Sequence, residues 1–138
     1  MKMNFSLSDA VAIQAGSEYY DLHNCFDLVG LTVSFTERKV EVQFGFSNRS
    51  GCEKIATDLI ISFFDVDYVD FSSGILRNMI RDISELGYKK PDDFDHDWLM
   101  SEDQKSETDH FFIRLSGDEY IRVHGVSAVL TCQKRLIS

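Results

Sequence analysis

The stretch Thr57-Asp58-Leu59-Ile60-Ile61-Ser62-Phe63-Phe64 carries apolar side chains at both odd and even positions of a strand-like run. Alternation of apolar and polar residues gives a strand one wet face, whereas Leu59, Ile61 and Phe63 on one side with Ile60 and Phe64 on the other ask for cover from two directions. This run is therefore expected at the middle of a sheet, and the flanking chain must supply its neighbours and its cover.

Those neighbours are legible on both sides. Val29, Leu31, Val33 and Phe35 alternate with Gly30, Thr32 and Ser34. After the polar loop Thr36-Glu37-Arg38-Lys39 the same period resumes at Val40, Val42, Phe44 and Phe46, which predicts an antiparallel hairpin. Ser47 to Gly51 is a turn cluster, and Glu53 to Phe64 returns as the third strand of a meander. Alternation fails between Asp65 and Phe71, so a bulge or break is expected there. Further on, Phe111, Ile113 and Leu115, the turn Ser116-Gly117-Asp118 and the segment Tyr120 to Val123 read as a second hairpin. Val126 to Cys132 reads as a last strand. Near the start, Ser8 caps a short helix over Asp9 to Ala15 ended by Gly16, with an opening strand at Asn4 to Ser8 as the alternative.

The cover is expected from a helix over Ser73 to Leu86. Ile75, Leu76, Met79, Ile80, Ile83 and Leu86 recur at helical spacing, and Arg77, Asn78, Arg81, Asp82 and Glu85 fall on the other side. Gly87 stands where a left-handed cap belongs, with Tyr88 placed to touch Ile83 and Pro91 blocking continuation. The expected class is thus α+β: a twisted or partly rolled antiparallel sheet with one main amphipathic helix packed on a face, in a single domain over residues 1–138.

A chain of 138 residues with 43% apolar and 12% aromatic content, eleven of them Phe, has the material for a core and needs no staple. Cys25, Cys52 and Cys132 are odd in number without Cys-x-x-Cys spacing, and are read as reduced thiols. Asn4, Ser6, Ser8 and Asp9 interrupt any apolar leader, and no apolar run is long enough to span a bilayer, so cytoplasmic residence is expected.

The formal net charge is −9, which discourages attraction to nucleic acid or an anionic membrane. Its distribution is uneven. The segment Asp92 to Asp109 holds eight acids (Asp92, Asp93, Asp95, Asp97, Glu102, Asp103, Glu107 and Asp109) against Lys105 alone, so −7 of the −9 sits in eighteen residues. This segment reads as a long loop with one helical turn at most, and connections of that length in a small domain usually bind something or are disordered. Phe94, Trp98, Leu99 and Met100 are embedded in it. Disordered acidic tracts lack aromatics, whereas binding surfaces centre on them. The plainer alternative is that Phe94 and Trp98 only pin the loop to the core.

Asp93, Asp95 and Asp97 have the opening step of a calcium loop, but neither its Gly nor its closing Glu follows, so no metal site is expected. His23, His96, His110 and His124 are scattered without helical ligand pairing. No Ser or Cys stands on a Gly-rich elbow, and no phosphate-cradling loop is present, so no catalytic residue and no cofactor are assigned.

From Tyr20 through Val123 the order of segments resembles the small β-rich immunity proteins of bacterial polymorphic and contact-dependent toxin systems. The resemblance runs through Leu22-His23-Asn24, the paired strands Val29 to Phe35 and Val40 to Phe46, the apolar strand ending Phe63-Phe64-Asp65-Val66, and the late hairpin Ile113 to Val123. Asn24 departs from the Asp often found at that place. The resemblance implies a non-catalytic cytoplasmic inhibitor that sits on a toxin domain. A nuclease-type toxin with a basic cleft would meet the acidic loop, and Asp92, Asp93, Asp95, Asp97, Glu102 and Asp103 would make the contact with Trp98 as apolar anchor. Two other classes remain open at this point: a small enzyme or ligand-binding domain using His23, His110 or His124 in a sheet-lined pocket, and a structural subunit joined through an exposed strand edge.

Overall fold

The computed structural model describes residues 1–47, 52, 57–77 and 81–134. Its strands are β1 (Lys2–Met3), β2 (Ser6–Ser8), β3 (Ala12–Ala15), β4 (Glu18–Asp21), β5 (Phe26–Ser34), β6 (Lys39–Phe46), β7 (Thr57–Phe64), β8 (Tyr68–Phe71), β9 (Ile83–Lys89), β10 (His110–Leu115), β11 (Tyr120–His124) and β12 (Ser127–Lys134). Among the described residues the helical content is one turn, α1 (Leu22–Cys25), and a 3-10 turn at Glu102–Gln104. The architecture is mostly β, and the expected α+β class with a main helix is overturned.

Two sheets enclose the core. The larger has the order β1-β12-β7-β6-β5, with Thr57–Phe64 third of five as its alternation-free sequence demands, and the smaller has the order β8-β11-β10-β9. β2, β3 and β4 form a third, small sheet that adds Leu7 and Ile13 to the same core. Val40, Val42 and Phe44 of β6 and Leu59, Ile61 and Phe63 of β7 face Phe111, Ile113, Leu115, Ile121 and Val123 of β10 and β11. Phe63 and Phe111 meet ring to ring at 5.8 Å between centroids. The opposite face of β7 is only partly covered, since Phe64 is exposed.

The break expected after Phe64 is a corner. β7 and β12 pair in the large sheet, β8 and β11 pair in the small one, and both chains turn together between them, with the Val126 amide donating to the Phe64 carbonyl (2.9 Å). Strands that switch sheets need such bends. Asp65 takes a positive φ of 50° there, and at Gly125 a Cβ would stand 2.5 Å from the Phe64 carbonyl oxygen.

The expected helix over Ser73 to Leu86 is instead a turn at 73–77 followed, after Asn78, Met79 and Ile80, which lie outside the described residues, by β9. The reason for the misreading is local. Leu115 pairs with Ile83 and Arg114 with Glu85, so Ser84 is an extra, bulged residue. A bulge shifts side-chain parity by one, which brings Ile83 onto the same inward face as Leu86 and Tyr88. The resulting spacing of three matches a helical repeat. Gly87 is accordingly no left-handed cap. It lies inside β9, where a Cβ would stand 2.6 Å from Leu99 Cβ and 2.9 Å from the Met100 carbonyl oxygen, so its lack of a side chain lets the following loop lie against the strand. The short helix expected over Asp9 to Ala15 is likewise β3, the opening strand being β2. Ser47 aside, the expected turn to Gly51 and the strand start at Glu53 fall outside the described residues except for Cys52.

Cys25 and Cys52 form a disulfide, which corrects their reading as reduced thiols. Cys132 is free and exposed. The bridge ties the start of β5 to the chain beyond β6 across 27 residues. Removing it with Cys25→Ala and Cys52→Ala is expected to cost about 3.5 kcal/mol by the loop-closure argument, read as a lower denaturant midpoint with a steeper slope, because the unlinked denatured chain exposes more surface. No helix among the described residues is long and apolar enough to cross a membrane.

Candidate functional site

The outward face of the small sheet carries Tyr68 and Asp70 of β8, Tyr120, Arg122 and His124 of β11, His110, Phe112 and Arg114 of β10, and Glu85, Gly87 and Lys89 of β9. These alternate with the inward residues of the core. In a soluble sheet such a face is normally wet. Here it is covered by the acidic segment, which leaves β9 at Lys90, arches over the sheet, and returns along the β9 edge, where Tyr88 and Met100 exchange backbone hydrogen bonds of 3.0 and 2.9 Å.

Arg122 holds the arch down. Its side chain is fully buried, and its hydrogen bonds go to backbone carbonyls and imidazoles. Nη1 donates to the Asp93 carbonyl (2.7 Å), and Nη2 to the carbonyls of Lys90 (2.9 Å) and Pro91 (3.3 Å). Nε donates to His110 Nδ1 (2.9 Å), and Nη1 lies 3.1 Å from His96 Nε2. The planar five-donor fork of a guanidinium suits a curved row of carbonyls, which a lysine ammonium would not span. The Phe94 ring lies over the guanidinium at 4.8 Å and the Tyr68 ring at 5.4 Å.

A second buried cation works further along. Lys89 Nζ donates to the Trp98 carbonyl (2.7 Å), pairs with Asp93 (3.2 Å), and sits 3.5 Å from the Trp98 ring centre. Arg114 donates to the His96 carbonyl and pairs with Glu85 at 3.3 Å. The segment is thus ordered by three cations beneath it. Within it, the Asp95 amide donates to Asp93 (2.9 Å) and the Asp97 amide to Asp95 (3.1 Å), successive side-chain turns that set the curvature.

The residues expected to make a binding surface separate into two places. Asp92, Asp93, Asp95, Asp97 and Trp98 share the arch. Asp92, Asp95 and Asp97 are exposed, and the rings keep much of their surface, 63% for Phe94 and 45% for Trp98. Asp93 is turned in, and the Asp95 amide, with Lys89 and Arg122, holds its carboxyl below the ordinary range against the pull of burial. Glu102 and Asp103 lie past the β9 edge on the 3-10 turn. Glu102 accepts from the Leu7 amide and the Tyr88 hydroxyl, each at 2.8 Å, and pairs with Lys105 at 2.8 Å. Burial opposes its ionisation, but these three donors outweigh burial and keep it below the usual carboxylate range. Asp103 is exposed beside it.

The histidines are less scattered than their sequence positions. His110 and His124 lie 5.3 Å apart, Tyr68 stacks on His110 at 4.5 Å, and His96 is delivered by the arch between Phe112 (4.9 Å) and Tyr120 (4.5 Å). His124 Nδ1 meets Asp67 at 2.7 Å. Burial, then Arg122 and His124, push His110 down to about 4; burial and Arg122 lower His96 as well. Burial and the hydrogen bond to Asp70 push Tyr120 up to about 12. His23 stands apart, with Nδ1 2.6 Å from the Ile83 carbonyl oxygen. Sequence reading passed over Arg122 and Lys89, although Tyr120, Arg122 and His124 share one parity of a strand whose other parity is apolar. Among the described residues no group of three or more His, Cys, Asp or Glu side chains could hold a metal ion.

Comparison of the chain with protein-family models, with curated proteins and with solved structures gave no match, so the arrangement of the arch and its clamps has to carry the functional reading.

Proposed function

We propose that this chain is a non-catalytic protein-binding module, of the immunity type, that captures a basic toxin domain through the arch over its small sheet. The observation that carries the reading is the pairing of two exposed aromatic rings, Phe94 and Trp98, with the outward carboxylates of Asp92, Asp95 and Asp97 on a backbone already held by Arg122, Lys89 and Arg114. Aromatic anchors ringed by charge are the usual energetic centre of an interface, and an ordered loop avoids the entropy that a floppy one loses on binding. Carboxylates of this kind speed encounter with a basic partner by roughly 10 to 1,000-fold at low salt. Asp103 extends the charge past the sheet edge. Asp93 and Glu102 serve the surface indirectly, by fixing its shape. Cytoplasmic residence belongs to the same proposal and rests on the partner class alone, since the cysteine argument for it no longer holds.

The histidine alternative has weaker support. Of the three histidines it named, His110 commits Nδ1 to Arg122, His124 Nδ1 meets Asp67, and His23 Nδ1 meets the Ile83 carbonyl oxygen away from the other two.

The triple reversal Asp92→Lys, Asp95→Lys and Asp97→Lys tests the reading. Wild-type protein immobilised in lysate of its own cells is expected to retain a basic protein that salt releases. The triple variant, with an unchanged unfolding midpoint, is expected to retain it at least tenfold less. Equal retention by both removes the arch as the interface.

A further inference from the structure

Two of the acceptors that hold Arg122 are lone pairs on imidazoles, and that sets them apart from the three carbonyls. A guanidinium does not lose its proton, so His110 Nδ1 (2.9 Å from Nε) and His96 Nε2 (3.1 Å from Nη1) are acceptors only while both rings are neutral. A proton on either ring abolishes its lone pair and sets one cation against another beside the buried Arg122. We propose that the Arg122–His110–His96 cluster is a latch that acid opens: with both rings neutral it holds the arch on the sheet, and with them protonated it releases the arch. Release disperses the carboxylate surface and the bound partner with it. The last clause rests on the binding function proposed above, whereas the latch itself does not.

The groups facing each ring decide the direction. Around His110 stand Arg122 and His124 from β11, the Tyr68 ring from β8, Asp67 from the corner, Asp109 beside it in the chain, and Lys89 opposite it on β9. Around His96 stand Arg122, Lys89 and Arg114, with Asp70 as the facing carboxylate and the Tyr120 and Phe112 rings on its flanks. The carboxylates favour protonation, but burial and the cations outweigh them at both rings. The closed latch therefore binds fewer protons than the open one. Its full hold is present above the ordinary histidine value of about 6.5 and is lost as pH falls toward about 4, where His110 takes up its proton in the closed form. His110 alone weakens closure about tenfold by about pH 4.5.

The experiment is amide hydrogen exchange on the free, full-length protein, expressed as protection relative to the intrinsic rate, from about pH 7 to about pH 4.5. Emission of Trp98, the sole tryptophan, is followed in parallel. Protection of the arch amides at 92–100 is expected to fall about tenfold while the amides of β6 and β7 keep theirs. In His96→Gln/His110→Gln the amide oxygens accept from Arg122 but do not titrate, so protection is expected to persist. An equal loss in both proteins, or none in the wild type, overturns the latch. Should the double variant fail to fold, the wild-type His110 ring resonance decides. Arch exchange that rises through the window in which that ring titrates supports the latch, and exchange that stays flat through it overturns it. Because no partner is present, these outcomes are independent of the lysate experiment at neutral pH.

Discussion

Arg122→Met is expected to lower stability by about 4 kcal/mol and to free the arch from the sheet. Replacement of a buried charge by an apolar side chain is sometimes neutral, but only when its partners are replaced as well. Here three partners are backbone carbonyls, those of Lys90, Pro91 and Asp93, which no side-chain substitution removes. Each buried acceptor left without a donor costs about 1–3 kcal/mol, and the two imidazole nitrogens add to the deficit. The sum is limited because the arch can peel away and hydrate its carbonyls, which is why the expected loss is below five full penalties. Chemical denaturation followed by far-ultraviolet circular dichroism gives the stability change. Trp98 emission, shifted to that of a solvated indole below the unfolding transition, gives the release. A wild-type midpoint together with unchanged emission would show that Arg122 does not hold the arch. Arg122→Lys is expected to recover only a fraction, since a point charge cannot serve acceptors on both flanks of the cation.

Phe111→Ala is expected to cost about 3–5 kcal/mol, a large part of the 5–15 kcal/mol that holds a domain of this kind together. Phe111 is fully buried and contacts three rings from three parts of the chain: Phe5 at 6.0 Å, Phe63 at 5.8 Å and Tyr88 at 5.8 Å. It therefore joins β7 of the large sheet, β9 of the small one and the segment entering β2. Truncation leaves a cavity that two hydrogen-bonded sheets cannot close without breaking their ladders. The loss is read from the denaturant midpoint at unchanged slope. A cost below about 1 kcal/mol would mean that the sheets do not pack through this residue.

Much of the strand content was legible because β6 and β11 keep their apolar residues on one face, so Val40, Val42 and Phe44, or Ile121 and Val123, appear at every second position, whereas in β5 a bulge between Leu28 and Gly30 leaves Val29, expected inward, exposed. β9 was not, since the bulge at Ser84 rewrites the alternation of Ile83, Leu86 and Tyr88 into a spacing of three. The mistaken helix then left the Asp92 to Asp109 segment without its actual role, which is to cover the outer face of the small sheet. The disulfide was hidden for a different reason: spacing between Cys25 and Cys52 says nothing of the 5.6 Å that separates their Cα atoms once β5 and β6 pair.

The place of Thr57–Phe64 at the centre of a sheet, the hairpins around it and the concentration of acid between residues 92 and 109 were determined by the sequence alone. Each is a property of neighbours along the chain, set by the two-residue pleat or by local composition. The arch, the cations under it and the meeting of His96, His110 and His124 were decided by the tertiary structure, because they depend on the register of β8, β11, β10 and β9. Register brings side chains from positions 68, 89, 96, 110 and 122 to one spot. No periodicity within a segment encodes a distance between segments.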